Sequence, residues 1–367
     1  MEEDEEETLI YNLPQDTLHK IFSSLPFRQI IFCRSLSKFF NQLLTTPSFL
    51  NLISSTPPPL NLLTVHHKES TTLRFFDLDL KDWIHFPLNF LPFSSLLPVA
   101  SSDGLIYLWA ESINNNNSTI SQTLTTASLV ACNPLTHQFR IHPPCPPGFV
   151  LVDSVNRIMV LTVFAVYYFS GDSNDSRHGW QKFSSNLPSK PRSPILIEDS
   201  AYVLCNVRSK LKLFSCCVNS AMSHVTWSRL ARPEWGVVFD ILKRPQMVRG
   251  VGNRILIIGG LKSTFKLNPP CSTILILRLD LGTMEWEEAG RMPREMFRCF
   301  QDADEFKVFG GGDRVFFSAQ RIEKLALALW ERGDSKRGEW RWIDIMPGKS
   351  DGLCREFVFE GRFDALP

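Results

Sequence analysis

Gly259-Gly260-Leu261-Lys262-Ser263-Thr264 has the residue types of a phosphate cradle: glycines, a lysine and two hydroxyls. A phosphate loop needs GxxxxGK[ST], with the lysine directly after the second glycine. Here Leu261 intervenes and no helical pattern follows, so phosphate chemistry is not expected. His66-His67 and Cys216-Cys217 are adjacent pairs. On a strand, neighbouring side chains point to opposite faces, so neither pair is suited to hold one metal ion. The histidines read as a solvated pair and the cysteines as part of a buried strand. The nine cysteines include no CxxC spacing, and neither HExxH nor GxSxG occurs. These residues imply no metal, no cofactor and no catalytic residue. The expectation is a protein that does no chemistry itself.

Charge offers a second kind of chemistry. From residue 177 to 266 there are fifteen Lys and Arg against four Asp and Glu. Arg208, Lys210, Lys212, Lys243 and Arg244 fall at expected loops and form the candidate target-binding set, with Lys190 and Arg192 nearby. Opposite charge on a target segment would steer encounter and fix register. A merely solvated face remains the bland reading. Nucleic acid is the weaker alternative, because no aromatic-interleaved basic run accompanies the charge.

The whole chain of 367 residues is nearly neutral at +1, so net charge implies no partner. Six of the first seven residues are acidic, and residues 1–11 read as a disordered acidic tail. The odd cysteine count and this acidic start suit free thiols in a reducing compartment. The longest apolar run, Ile158 to Phe169, falls short of the ~20 residues that span a bilayer. It reads as a buried strand or pair of strands, and no membrane partner is expected.

Two elements must position any site. Over 12–53 the pattern is helical. Leu18, Ile21, Phe22 and Leu25 fall at i, i+3, i+4, i+7, and Leu36, Phe39, Phe40 and Leu43 repeat that spacing. Pro14 suits a helix start, and Pro26 and Pro47 bound the helices. So few short helices cannot bury their apolar faces alone. They need the rest of the chain or another protein. Residues 54–59, SSTPPP, read as a stiff linker.

From residue 60 onward the signal is short apolar runs between Gly, Pro, Asn and Asp, the pattern of strands and turns. An aromatic followed by a proline recurs at Trp83, Phe139, Trp180, Trp227, Trp286 and Trp340, and the intervals suit blades of about 50 residues. A Gly- or Asn-bearing turn leading into an apolar strand precedes several of them, as in Gly252-Asn253-Arg254-Ile255-Leu256-Ile257-Ile258. The run from Cys354 to Gly361 can form a strand beside the first unit and close the ring. A two-sheet sandwich is the runner-up fold, but six units are too many for one. The polar run Asn114–Asn117 reads as an exposed insertion, with a seventh, weak unit as the alternative.

Two resemblances follow from these motifs. Leu13-Pro14, Leu18, Ile21, Leu25-Pro26 and the run from Cys33 to Phe40 resemble an F-box, the motif that docks a receptor onto the Skp-type adaptor of a cullin ubiquitin ligase. The chain departs from the usual pattern at Leu36, Ser37 and Phe40, where Val, Cys and Trp are common. The order of turn, apolar strands and aromatic in 60–367 resembles the kelch repeat. The resemblance therefore implies a mainly β fold: a six-bladed kelch-like β-propeller preceded by a small α-helical F-box domain, as in the plant F-box/kelch-repeat family. It implies adaptor contact through Leu13, Pro14, Leu18, Ile21, Leu25, Pro26, Leu36, Lys38 and Phe40, with Leu18, Ile21 and Leu36 partly in the core. It further implies a cullin reached through the adaptor, an unidentified target protein on the propeller, and work in the nucleus or cytoplasm. The alternatives are a propeller scaffold without a ligase and a ligand-binding or catalytic propeller.

Overall fold

A computed structural model describes residues 10–25, 27–53, 60–66, 72–78, 81–110, 127–153, 157–169, 179–218, 224–235, 238–263, 271–301, 306–320, 325–332, 338–343 and 355–367. The acidic tail up to residue 9, Pro26, the 54–59 linker and the Asn114–Asn117 run lie outside these residues.

Four short helices open the chain: α1 (Gln15–Ser23), α2 (Phe27–Leu36), α3 (Lys38–Leu43) and α4 (Pro47–Ile53). Pro14 stands at the N-cap of α1, where its carbonyl accepts from the Thr17 and Leu18 amides and its missing N–H costs nothing. Ser37 separates α2 from α3 in an extended conformation. Its Oγ accepts from the Phe40 amide at 3.1 Å, a side-chain N-cap.

Among the described residues, twenty-four strands then form six four-stranded antiparallel sheets. The first holds β1 (Leu60–His66), β2 (Thr72–Asp77) and β3 (Asp82–Pro87), completed by β24 (Arg355–Gly361) from the C-terminus. The second holds β4 (Leu96–Ser102), β5 (Leu105–Ala110), β6 (Ser128–Asn133) and β7 (Gln138–Ile141). The third holds β8 (Phe149–Val152), β9 (Ile158–Leu161), β10 (Ala165–Phe169) and β11 (Gln181–Ser184). The fourth holds β12 (Arg192–Ile197), β13 (Ser200–Val207), β14 (Lys210–Cys217) and β15 (Ser228–Leu230). The fifth holds β16 (Leu242–Arg249), β17 (Arg254–Lys262), β18 (Cys271–Asp280) and β19 (Glu285–Arg291). The sixth holds β20 (Phe306–Gly311), β21 (Arg314–Gln320), β22 (Leu325–Glu331) and β23 (Glu339–Trp342).

These sheets are blades of one ring. The leading strands β24, β4, β8, β12, β16 and β20 each touch the next, and β20 touches β24 again. An apolar cluster fills every gap between successive blades. That is the burial a sheet with two apolar faces requires. Closure comes from β24, which pairs antiparallel with β1 from Leu60↔Gly361 to His66↔Arg355. It removes the open edge a linear sheet would leave.

Each aromatic marker of the repeat sits on, or directly before, the outermost strand of its blade: Trp83 on β3, Phe139 on β7, Trp180 before β11, Trp227 before β15, Trp286 on β19 and Trp340 on β23. Their places are equivalent, but the four later tryptophans are half-buried and Phe139 is exposed, because an outermost strand has a neighbour on one side only. The fully buried tryptophan is Trp330 on β22. It packs from blade six onto Gly290 of β19 in blade five, where an added Cβ would lie 2.6 Å from the indole nitrogen.

The double glycines occupy two different places. Gly310-Gly311 ends a leading strand, while Gly259-Gly260 lies within the second strand, β17. There a Cβ on Gly260 would meet Cys271 Sγ at 2.5 Å. Close strand approach, not a phosphate, explains these glycines. Lys262 Nζ is bound to the Asp240 carbonyl at 2.6 Å. The apolar run from Ile158 to Phe169 is a strand pair, β9 and β10. One helix is absent from the periodicity reading: α5 (Arg294–Gln301) follows Pro293 and buries Met296, Phe297 and Phe300 between blades five and six.

Candidate functional site: the outward face of the N-terminal helices

The helices divide their apolar residues between two sides. Leu18, Phe22, Ile30, Leu43, Leu44, Phe49 and Ile53 point inward. They share one continuous core with Leu73, Phe75, Phe86, Leu88, Leu91, Phe359 and Phe363 of blades one and two and the C-terminal segment. His19 is also buried. Its Nε2 lies 3.2 Å from Thr46 Oγ1 and 3.5 Å from Gln15 Nε2, and its ring packs on Phe49. The helical segment is therefore seated on the propeller and is not a free-standing unit beyond a linker.

Two arginines on α2 fasten that seat. Arg28 pairs with Asp77, whose carboxylate is fully buried at the end of β2; Nη2 donates to Oδ1 at 2.5 Å, and Nε donates to Oδ2. Bidentate pairing of this kind fixes orientation as well as charge. Arg34 donates to Asn41 Oδ1 at 3.1 Å and stacks over the Phe363 ring at 5.1 Å. Burial lowers its pKa to about 10, still far above neutrality, so it stays cationic. Burial also pushes the neighbouring Cys33 thiol up.

The other side of the helices has no such cover. Leu13, Ile21, Phe32, Leu36 and Phe39 are exposed, Phe32 at 64% and Leu36 at 57%. Phe32 and Leu36 are one turn apart on α2 and share its outward face with exposed Gln29. Tyr11 packs edge-on against Phe39 at 5.1 Å and stacks near Phe40 at 5.9 Å, and Phe40 touches buried Phe22. An aromatic group thus runs from the core to the open surface. Contiguous apolar exposure of this kind marks an interaction site.

The predicted adaptor-contact residues fall on both sides. Leu13, Pro14, Ile21, Leu36 and Lys38 are exposed. Leu25 and Phe40 are half-buried against the shared core. Leu18 is 1% exposed and belongs to the intramolecular seat. The expectation that Ile21 and Leu36 are partly core is corrected: both are open, because Leu18, Phe22 and Ile30 already supply the inward stripe. Pro26 lies outside the described residues. Phe32 and Tyr11 were not among the predicted residues; the i, i+4 relation of Phe32 to Leu36 was the available signal.

The basic set is also corrected in detail. Arg208 occupies a hairpin tip, but Lys210, Lys212, Lys243 and Arg244 lie at the starts of strands β14 and β16. Lys212 and Lys243 are half-buried, and Lys210 reaches Asp240 at 3.9 Å. Antiparallel alternation nevertheless places all five at one end of the blades. Strand starts in first and third position, and turns between second and third strands, share an end. Asp77 ends a third strand, and Phe363 follows a first strand, so the helices sit at the opposite end.

Comparison with known proteins adds the family. The F-box domain model matches residues 10–52, the four helices, and the Kelch motif model matches 244–293, blade five. The chain is 54% identical to SKP1-interacting partner 15 of Arabidopsis thaliana over 97% of this chain and 98% of that protein. It is 26% identical to an F-box/kelch-repeat protein of the same plant, over 79% of this chain and 70% of the other. A chain from a nidogen/laminin complex aligns with a TM-score of 0.47 at 9% identity over 82% of this chain and 97% of its own. The N-terminal motif, the propeller and the near full-length relative agree: the chain belongs to the plant F-box/kelch-repeat proteins.

Proposed function

We propose that this protein is the substrate-recognition subunit of a Skp–cullin–F-box ubiquitin ligase. The helices dock a Skp-type adaptor, which connects to a cullin, and the propeller holds the target protein. The observation that carries this reading is the solvent-exposed apolar face of Leu13, Ile21, Leu36 and Phe39, with exposed Phe32 beside them, on helices whose inner side the propeller already occupies. The similarity to a relative named for interacting with SKP1 supports it. The protein contributes proximity and no bond-breaking step: tethering raises the effective concentration of the target lysine at the ubiquitin carrier. The reading places it in the nucleus or cytoplasm.

The test is copurification of the full-length chain with a Skp-type adaptor, compared with the Phe32→Ser/Leu36→Ser variant. Loss of adaptor from the variant, at unchanged melting temperature, is the expected result. Retention of the adaptor by the variant would remove this face from the mechanism. Failure of the unmodified chain to bind any Skp-type adaptor would overturn the proposal in favour of a propeller scaffold.

A further inference from the structure

The end of the propeller remote from the helices carries one aromatic side chain that is almost fully exposed. Phe164 is 84% exposed at the tip of the β9–β10 hairpin. Its setting is rigid. The Thr162 amide donates to the Ala165 carbonyl at 2.9 Å, and the Ala165 amide donates to Thr162 Oγ1 at 3.0 Å. The two tip carbonyls are held from below by Ser185, itself buried. Its amide donates to Phe164 O at 3.0 Å, and its Oγ donates to Val163 O at 2.8 Å. A phenyl ring presented on a braced turn loses little freedom on binding, which is how an interface anchor differs from a stray surface apolar residue. Exposed Val163 stands beside it in the turn, and exposed Phe149 begins the leading strand of the same blade.

The charge at this end of blades three to five is mostly positive. Beyond Ser185 the crossing to blade four exposes Lys190 and Arg192. Ser189 on that crossing caps the Asn206 amide at 2.8 Å, which ties it to the next hairpin tip. That tip is Arg208-Ser209, both at positive φ without being glycine, followed by exposed Lys210. Lys243 and Arg244 begin β16 in the following blade, and Lys262 ends β17 beside Asp240. Of the four acids in this stretch, Glu198 and Asp199 lie in the β12–β13 turn at the opposite end, while Glu234 and Asp240 precede β16 at this end, where Asp240 lies 3.9 Å from Lys210.

Resting on the receptor role above, we propose that this end of blades three to five is the target-docking surface. Its occupant is a protein whose acidic segment flanks an apolar site that takes Phe164. The aromatic anchor supplies affinity, and the Lys and Arg side chains steer and orient the partner. A single ring on one hairpin, with charge spread across three blades, fits a protein surface. It offers neither the successive stacking platforms of single-strand binding nor the broad apolar face of an interfacial helix.

The experiment pans a random dodecapeptide library against the full-length protein bound to its Skp-type adaptor. Affinities of the enriched peptides are then measured for the unmodified chain, for Phe164→Ser, and for Arg208→Glu/Lys243→Glu/Arg244→Glu. Expected are peptides with Asp and Glu around aliphatic residues, weakened at least about tenfold by Phe164→Ser. The charge variant should bind more weakly and lose salt dependence. Enriched peptides indifferent to both variants, or no acidic enrichment, would overturn the proposal. So would a 12-nucleotide RNA or a phosphatidylserine vesicle that binds tightly and is released by the same variants. Adaptor binding is read in parallel and should survive every substitution, so failure of the docking surface is distinguishable from failure of the receptor role.

Discussion

Arg28 of α2 reaches across to the fully buried carboxylate of Asp77 at the end of β2, and so ties the helical segment to the first blade. A carboxylate removed from water is tolerable only with such a partner. Arg28→Ala is expected to cost about 3–5 kcal/mol, the usual result of breaking a buried pair. The double variant Arg28→Met/Asp77→Leu should recover much of that loss. Urea unfolding of the three proteins measures both.

The same seat governs what happens when the helices are removed. A chain lacking residues 1–53 loses Leu18, Phe22, Ile30, Leu43, Leu44, Phe49 and Ile53 from the core they share with blades one and two. The expected outcome is aggregation or a much lower melting temperature, and not the soluble propeller that a linker-separated domain would leave. Size-exclusion chromatography of the truncated chain decides.

Leu18 and Leu36 should separate stability from recognition. Leu18→Ala removes a side chain from the shared core and is expected to cost about 2–5 kcal/mol. Leu36→Ser lies on the open face and should change stability by less than about 0.5 kcal/mol. Thermal melts of the two variants test the assignment of sides without reference to any partner.

Trp330 and Gly290 make a further test between blades five and six. Gly290→Ala places a methyl group against the indole and should destabilise by about 1–3 kcal/mol through overpacking. If Gly290→Ala melts like the unmodified chain, the packing of this gap is misassigned.

His142 predicts a pH dependence. It is buried against Phe169, neither ring nitrogen has a hydrogen-bond partner among the described residues, and burial together with nearby Arg140 lowers its pKa to about 4. In the unfolded chain it titrates near 6.5. Between those values the unfolded chain binds more protons, so stability rises with pH there. The contribution is complete above pH 6.5 and is lost as the pH falls through 4, about 3 kcal/mol in all. His142→Phe should flatten the unfolding free energy over this window relative to the unmodified chain.

Much of this architecture was legible. Helical spacing marked the first elements, and the recurring aromatics marked one strand per blade. What stayed hidden has physical causes. Apolar periodicity shows that α2 has apolar faces but not which one a neighbour covers, since Ile30 inside and Phe32 outside are equally apolar. Phe164 was invisible because its turn is as apolar as the strands it joins. The α5 segment is inconspicuous because Pro293, which suits a helix start, also falls where the repeat places a proline after Trp286. Trp330 lies one strand further in than Trp340 of the same blade, which spacing alone does not report.

The ring closes through strands that lie far apart in sequence: β1 precedes the other described strands and β24 follows them. A chain cut short before Arg355 leaves β1 without this partner and takes Phe359 and Phe363 from beneath the helices. Such a fragment carries its docking helices without their foundation, and its exposed apolar surface is the kind chaperones and proteases detect. Seating of the docking helices thus depends on a segment on the far side of six blades, which couples the recognition end of the molecule to closure of the whole ring.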